Sequence, residues 1–314
     1  MKTKSPSSSQ LNFCYKKYFI ALIFILISIF SFGGAFTNVS YVDILGKSIK
    51  KDSRKSFLSI RQVISGIILF LSALAAKEVL TLSVYPSNYA YMFFIAFGAL
   101  FIASFGFWNI KEVTPSQMTV KNPKHFFKLI KTELKQNDQL KYFLGFLNTM
   151  GISIALLPFI MLYAKEFYFS QADTGSFLLY KIIGSAITGF ALFFFAGKYK
   201  YRYLLYGSAI LAFILPLFIL LSSETPQFVI IFFIGGIIFT AFAISKSGIM
   251  LEISGTKNRT LYGGIAGIGN ILPAVFALSG GWIIKQFGFQ PFFIIFMLIV
   301  LSSLFFIYKI KCKK

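Results

Sequence analysis

Few polar or charged side chains interrupt the apolar stretches of this chain, so those that do are the first candidates for chemistry. Lys181 stands near the middle of F-L-L-Y-K-I-I-G-S-A. A cation inside such a run is costly unless it serves a site. It attracts an anionic solute group, pairs with a carboxylate of another helix, or snorkels to an interface. Asn148 and Asn270 are neutral counterparts. They can hydrogen-bond a solute across a cavity, or simply join helices through bonds of about 1 kcal/mol. Gly151 and Pro158 follow Asn148 and are expected to weaken its helix, as in the discontinuous helices of transporters.

A second set of charges sits where apolar segments end. Asp43 leads through Lys47, Lys50 and Lys51 to Arg54, with Arg61 two turns further on. Glu252 leads through Lys257 to Arg259. Superimposing Arg54 on Arg259 brings Phe57 onto Tyr262 and Ile60 onto Ile265. Weak internal symmetry of this kind marks membrane proteins built from repeated halves. Asp43, Arg54, Arg61, Glu252 and Arg259 are thus candidates for a gate on one side of a bundle. Arg61 either pairs with Asp43 or Glu252, or is a surface arginine.

Other chemistry is poorly supplied. His125 is the sole histidine, and no acidic pair or Cys/His cluster has metal-ligand spacing. No glycine-rich nucleotide loop follows a strand. The expectation is no enzyme, no metal and no cofactor. Apart from Glu78, the acidic residues lie in loops or at segment ends, so no carboxylate stands at depth to carry protons.

The elements that would position these residues are apolar helices. Of 314 residues, 57% are hydrophobic and 13% charged, against about 25% charged in soluble domains. A spanning helix needs about 20 mostly apolar residues, and nine such segments occur, split three plus six by a long polar gap. The expected fold is all-α and polytopic: a flexible polar N-terminus at 1–16, three spans within 17–110, a basic amphipathic loop at 111–141 and six spans within 142–314. In the loop, Asn122 and Pro123 signal a helix start. Phe126, Phe127, Ile130 and Leu134 then share one face, with lysines opposite. That helix either lies on anionic lipid or packs on protein. Close helix contacts are expected at Gly263 and Gly267 and at Ala277 and Gly281, from their small-x-x-x-small spacing.

The net charge of +21 does not point to nucleic acid, because the lysines fall in short runs between apolar segments. Alternating the segments with the C-terminus in the cytoplasm puts almost all loop lysines and arginines there, leaving Lys165 and Lys285 outside. The same alternation places Lys2, Lys4, Lys16 and Lys17 outside, which is unfavourable.

With this order of segments, the chain resembles the major facilitator superfamily of secondary transporters. In that family two six-helix halves are joined by a long cytoplasmic loop. G-K-Y-K-Y-R at Gly197 to Arg202 resembles a worn form of its Gly-and-basic loop signature. Glu252 with Arg259, and Asp43 with Arg54 and Arg61, resemble its charged inter-helix turns. The resemblance implies that the spans here correspond to helices four to twelve, with helices one to three missing or supplied by a separate chain. It implies an inner-membrane carrier of a small solute working by alternating access, with membrane lipid as its surroundings. The alternative is a membrane remnant or accessory subunit that transports nothing itself.

Overall fold

The computed structural model describes residues 8–50, 53–84, 86–108, 122–167, 171–195, 198–254 and 259–311. The helices are α1 (Ser8–Ser48), α2 (Arg54–Leu82), α3 (Ser87–Trp108), α4 (Pro123–Gln136), α5 (Asp138–Ala164), α6 (Gln171–Phe194), α7 (Tyr201–Leu220), α8 (Thr225–Ile253), α9 (Arg259–Ile268), α10 (Ile271–Phe287) and α11 (Phe289–Lys309). A short 3-10 turn, Lys165–Phe167, closes α5, and no strand occurs among the described residues. Among the described residues, eight helical spans are long and apolar enough to cross a membrane, one of them running over both α9 and α10. The first of the three spans expected within 17–110 falls inside α1, where the described apolar stretch is Ala21–Gly34.

The surface is greasy. Phe24, Phe30, Phe93, Phe94, Phe97 and Phe101 are all exposed. Water would not tolerate that continuous an apolar surface on α1 and α3, whereas hydrocarbon does. The packed core lies between α5, α7, α8 and α11, around fully buried Phe143, Phe146, Phe232, Phe292, Phe293 and Phe296. Of the spans, α8 is the most enclosed and α3 the least.

The N-terminal helices attach through α6. On one side of α6, a Cβ at Gly184 would stand 2.3 Å from the Phe233 carbonyl oxygen, and one at Gly236 of α8 would stand 2.1 Å from that of Lys181. Backbone contact this close needs glycine on both helices. Ser185 Oγ donates to the Gly236 carbonyl at 3.2 Å, and Thr240 Oγ1 to the Ser185 carbonyl at 3.3 Å. On its other side α6 packs on α2, where Gly66 meets Ala186 and Gly189 meets Val63. The C-terminal part of α1, through buried Leu45, joins the same core, and α1 packs on α9.

Several expectations need correction. The tight contacts expected at Gly267 and Gly281 are absent: a Cβ at either would meet nothing within 4 Å. Gly280 is the close-packed position instead, against the Phe159 and Phe292 rings. The charges from Asp43 do not all lie beyond a helix end, because α1 continues to Ser48, helped by an i,i+4 pair in which Lys47 Nζ lies 2.7 Å from Asp43. The polar N-terminus is helical from Ser8, and residues 1–7 lie outside the described residues. Helix α5 starts at Asp138 rather than 142, because the Asn137 side chain accepts from the N–H groups of Gln139 and Leu140. It then runs unbroken past Gly151 and Pro158.

The amphipathic helix begins where its signal lies: Asn122 is extended and Pro123 sits in the first turn of α4. Its Leu129, Ile130 and Leu134 pack on the core, while Phe127 is 63% exposed. At the other end of the bundle, Gly288 is at once the last cap of α10 and the first of α11. Its φ of 84° and ψ of −179° belong to a region open almost only to glycine, which is what lets two helices meet across one residue.

Candidate functional site

One helix stops and restarts inside an apolar span. Helix α9 ends at Ile268 and α10 begins at Ile271. Pro273 explains the break. It has no N–H to give the carbonyl four residues earlier, that of Gly269, and its ring crowds that same oxygen. Non-helical backbone at membrane depth is tolerated only where protein or a cavity satisfies it.

Asn148 of α5 does so. Its Nδ2 donates to the Gly269 carbonyl at 2.5 Å, and its Oδ1 accepts from the Leu272 N–H at 2.9 Å. Nδ2 also donates to the Leu144 carbonyl at 2.9 Å, on Asn148's own helix, which fixes the side chain's orientation. One amide thus spans two of the groups orphaned by the break, one on each side of Asn270. Helix α5 makes room at Gly151, where a Cβ would stand 2.8 Å from Pro273 Cγ and 3.1 Å from Asn270 Oδ1. Asn270 caps α10 by position only, and its Oδ1 is buried with no hydrogen-bond partner. A buried acceptor left unpaired costs roughly 1–3 kcal/mol. Asn148 and Asn270 are therefore brought together, but unequally: Asn148 is a brace, and Asn270 holds the spare acceptor.

Elsewhere in the bundle, α5, α7 and α8 enclose an apolar crevice lined by Ser153, Leu157, Ala212, Gly235 and Phe239. The Lys181 ammonium of α6 lies 5.0 Å from the centre of the Phe239 ring. A cation over a ring face is attracted by its quadrupole. No acidic side chain pairs with Lys181 among the described residues. Phe239 is thus shared by the crevice and the ammonium. Lys181 belongs to the α6–α8 pair, and the asparagines to α5 and the broken helix.

The charged residues expected at a gate collect at one end of the bundle, in separate groups. Arg54 donates to the Ile49 carbonyl at 3.3 Å. Arg54 and Glu252 both act electrostatically on the Tyr201 hydroxyl, so these two candidates do converge. Tyr201 packs on α8 at Gly248, where a Cβ would overlap its ring. Arg61 is exposed and leans on Tyr41 of α1, donating to its hydroxyl at 3.1 Å. Asp43 is paired with Lys47 rather than with Arg61. Arg259 begins α9, and its side chain lies outside the described residues.

Two groups at this end carry no sequence signal. Lys55 donates to the Tyr199 carbonyl and lies 5.3 Å and 5.4 Å from the Tyr199 and Tyr201 ring centres. Burial raises the pKa of the Tyr199 phenol, with its hydrogen bond to the Ser59 hydroxyl acting the other way. Tyr262 of α9 donates to Glu133 Oε2 of α4 at 2.9 Å and accepts from Asn137 Nδ2 at 2.8 Å. Tyr262 stands more than a hundred positions from both Glu133 and Asn137, so no local pattern announces the triad. Only the N-cap role of Asn137, next to Asp138, was open to sequence reasoning.

No family model matches the sequence, and no curated protein matches it either.

Proposed function

We propose that the protein is a secondary transporter of a small solute, of the major facilitator type, working by alternating access. The observation that carries this reading is the discontinuous helix α9–α10, braced by Asn148 and holding the spare acceptor of Asn270. Broken helices at membrane depth are how transporters present backbone and amide groups to a solute. Lys181, with no acidic partner among the described residues, favours an anionic solute. The grouping of helices agrees: α1 to α3 meet the other six spans chiefly along α6 and α9, which leaves a boundary across which two bodies can rock. The basic ends of α2, α5, α7 and α11 lie together, tied by Arg202 to the Tyr308 carbonyl and Gln139 to the Lys309 carbonyl. That end is read as cytoplasmic in an inner membrane.

The test is a thermal-shift screen of the purified full chain against small anions, since a ligand that binds only the folded form raises stability. A stabilising anion should be taken up by proteoliposomes, and Lys181→Gln and Asn270→Leu should each weaken its effect. An anion that stabilises the chain but crosses the bilayer no faster than in empty vesicles would refute transport. Reporter tags at Lys198 and Lys285 should report opposite sides of the membrane.

A second reading is an accessory subunit. It is favoured by α3, which packs on α2 and is mostly exposed, with Asn88 its one buried residue among those described. In that case another membrane chain, such as one supplying further helices, should co-purify with the wild type. It should be lost on Phe93→Lys or Phe97→Lys.

A further inference from the structure

Helix α4 holds two faces with different jobs. Lys124, Lys128, Lys131 and Lys135 are all exposed. At 3.6 residues per turn they fall within about 60° of one another. Leu129, Ile130 and Leu134 face the bundle, and so does Glu133, which takes the Tyr262 hydrogen bond. At the edge of the lysine stripe stands Phe127, 63% exposed and flanked by Lys124, Lys128 and Lys131. A large ring set among lysines is poorly placed in water and well placed among lipid headgroups, where an apolar wedge and cations act together. The helix lies at the same end as the other basic termini, because Gln139, just past it, bonds Lys309 and Lys311 of the chain's end.

The inner face of α4 leads to the break. Tyr262 is held by Glu133 on α4 and by Asn137 at the junction of α4 and α5. It belongs to α9, the ten-residue half-helix that ends at the Gly269 discontinuity. A tilt or shift of α4 therefore acts on α9 directly.

We propose that the lysine stripe of α4 binds anionic phospholipid headgroups, and that the contact is passed through Tyr262 to the half-helix α9. The proposal does not require the chain to carry a solute. Attraction of a lysine to an anionic surface amounts to about fivefold in affinity per residue at low salt.

The experiment uses the purified full chain in phosphatidylcholine vesicles, with and without phosphatidylglycerol, followed by hydrogen exchange. The expected result is several-fold slower exchange in both α4 and Leu261–Ile268 when phosphatidylglycerol is present, shrinking as salt is raised. Replacing Lys124, Lys128, Lys131 and Lys135 together by Gln should abolish the effect in both helices. Tyr262→Phe should keep it in α4 and lose it in α9, and Glu133→Ala serves the same purpose if that variant folds poorly. Identical α9 exchange in the two vesicles, or a lipid effect that survives the lysine replacement, would overturn the proposal. So would a soluble polyglutamate, or free glycerol phosphate, producing the same slowing on neutral vesicles, since either would assign the stripe to a soluble anion.

Discussion

Replacing Asn148 by Leu removes the brace while keeping the branched, four-heavy-atom shape of the side chain; its methyls are larger than the amide groups they replace, so the polar loss sets a lower bound on the cost. Two bonds to orphaned backbone groups are lost, one to the Gly269 carbonyl and one from the Leu272 N–H. Leaving two buried backbone groups unpaired costs about 2–6 kcal/mol. Side-chain bonds between membrane helices measure lower, about 0.6 kcal/mol each and at most about 1.7, because the unfolded chain finds partners within the bilayer. The geometry here favours the upper part of that range: Gly269 cannot turn to a helical donor, since the donor would be Pro273. The expected destabilisation of Asn148→Leu is about 2–3 kcal/mol, read by reversible unfolding in bicelles. Pro273→Ala supplies the missing N–H and lets the helix heal. In that background Asn148→Leu should cost only about half as much, the signature of two changes that share a partner. Equal cost in both backgrounds, or no cost at all, would refute the brace.

Gly236→Ala should be among the most damaging small substitutions, because its methyl would meet backbone of α6 at 2.1 Å, whereas Gly281→Ala should be neutral; unfolding of the two variants side by side checks this. Gly288→Ala should cost about 1–3 kcal/mol by forcing alanine into glycine-only backbone space, with the loss seen in the melting temperature. Lys55→Met keeps the stem but loses the bond to the Tyr199 carbonyl and the charge over two rings, for an expected loss of about 1–2 kcal/mol in the same unfolding assay.

The sequence was informative wherever the physics is local. Composition requires an apolar solvent, Asn122 and Pro123 start α4, and the apolar runs after the first become helices within a few residues of their expected bounds, whereas α1 runs about ten residues past its apolar run at each end. It was uninformative wherever a partner decides. Gly267 and Gly281 sit at helix-pairing spacing yet face nothing within 4 Å, while Gly184 and Gly236, which carry the closest backbone contact, stand in ordinary apolar runs. Spacing tells which residues share a face, not which face meets a neighbour. The asparagines illustrate the same divide: both were legible as polar groups in apolar runs. That one closes a break in the other's helix depends on α5 passing beside residue 269, a contact 121 positions away in sequence. Even the weakness expected of Asn148's helix, from Gly151 and Pro158, was misplaced, because α5 survives its proline while α9–α10 breaks at Pro273.

The two halves of the broken helix have different neighbours, and this bears on how the molecule would move. Helix α9 packs on α1 and α8 and is tied to α4 through Tyr262, whereas α10 packs on α5 and α11. A rigid helix would couple these groups, whereas a break is bridged at this point by the two hydrogen bonds of one amide. Stability and motion therefore pull in opposite directions at this point. Pro273→Ala alone, with Asn148 intact, adds a helical bond and should leave the fold as stable as the wild type or more so. If the break serves as a hinge, the same variant should slow the flux of any solute the protein carries and slow hydrogen exchange at 268–272. A Pro273→Ala protein with unchanged stability, slower local exchange and undiminished flux would show that the discontinuity holds polar groups in place but does not bend.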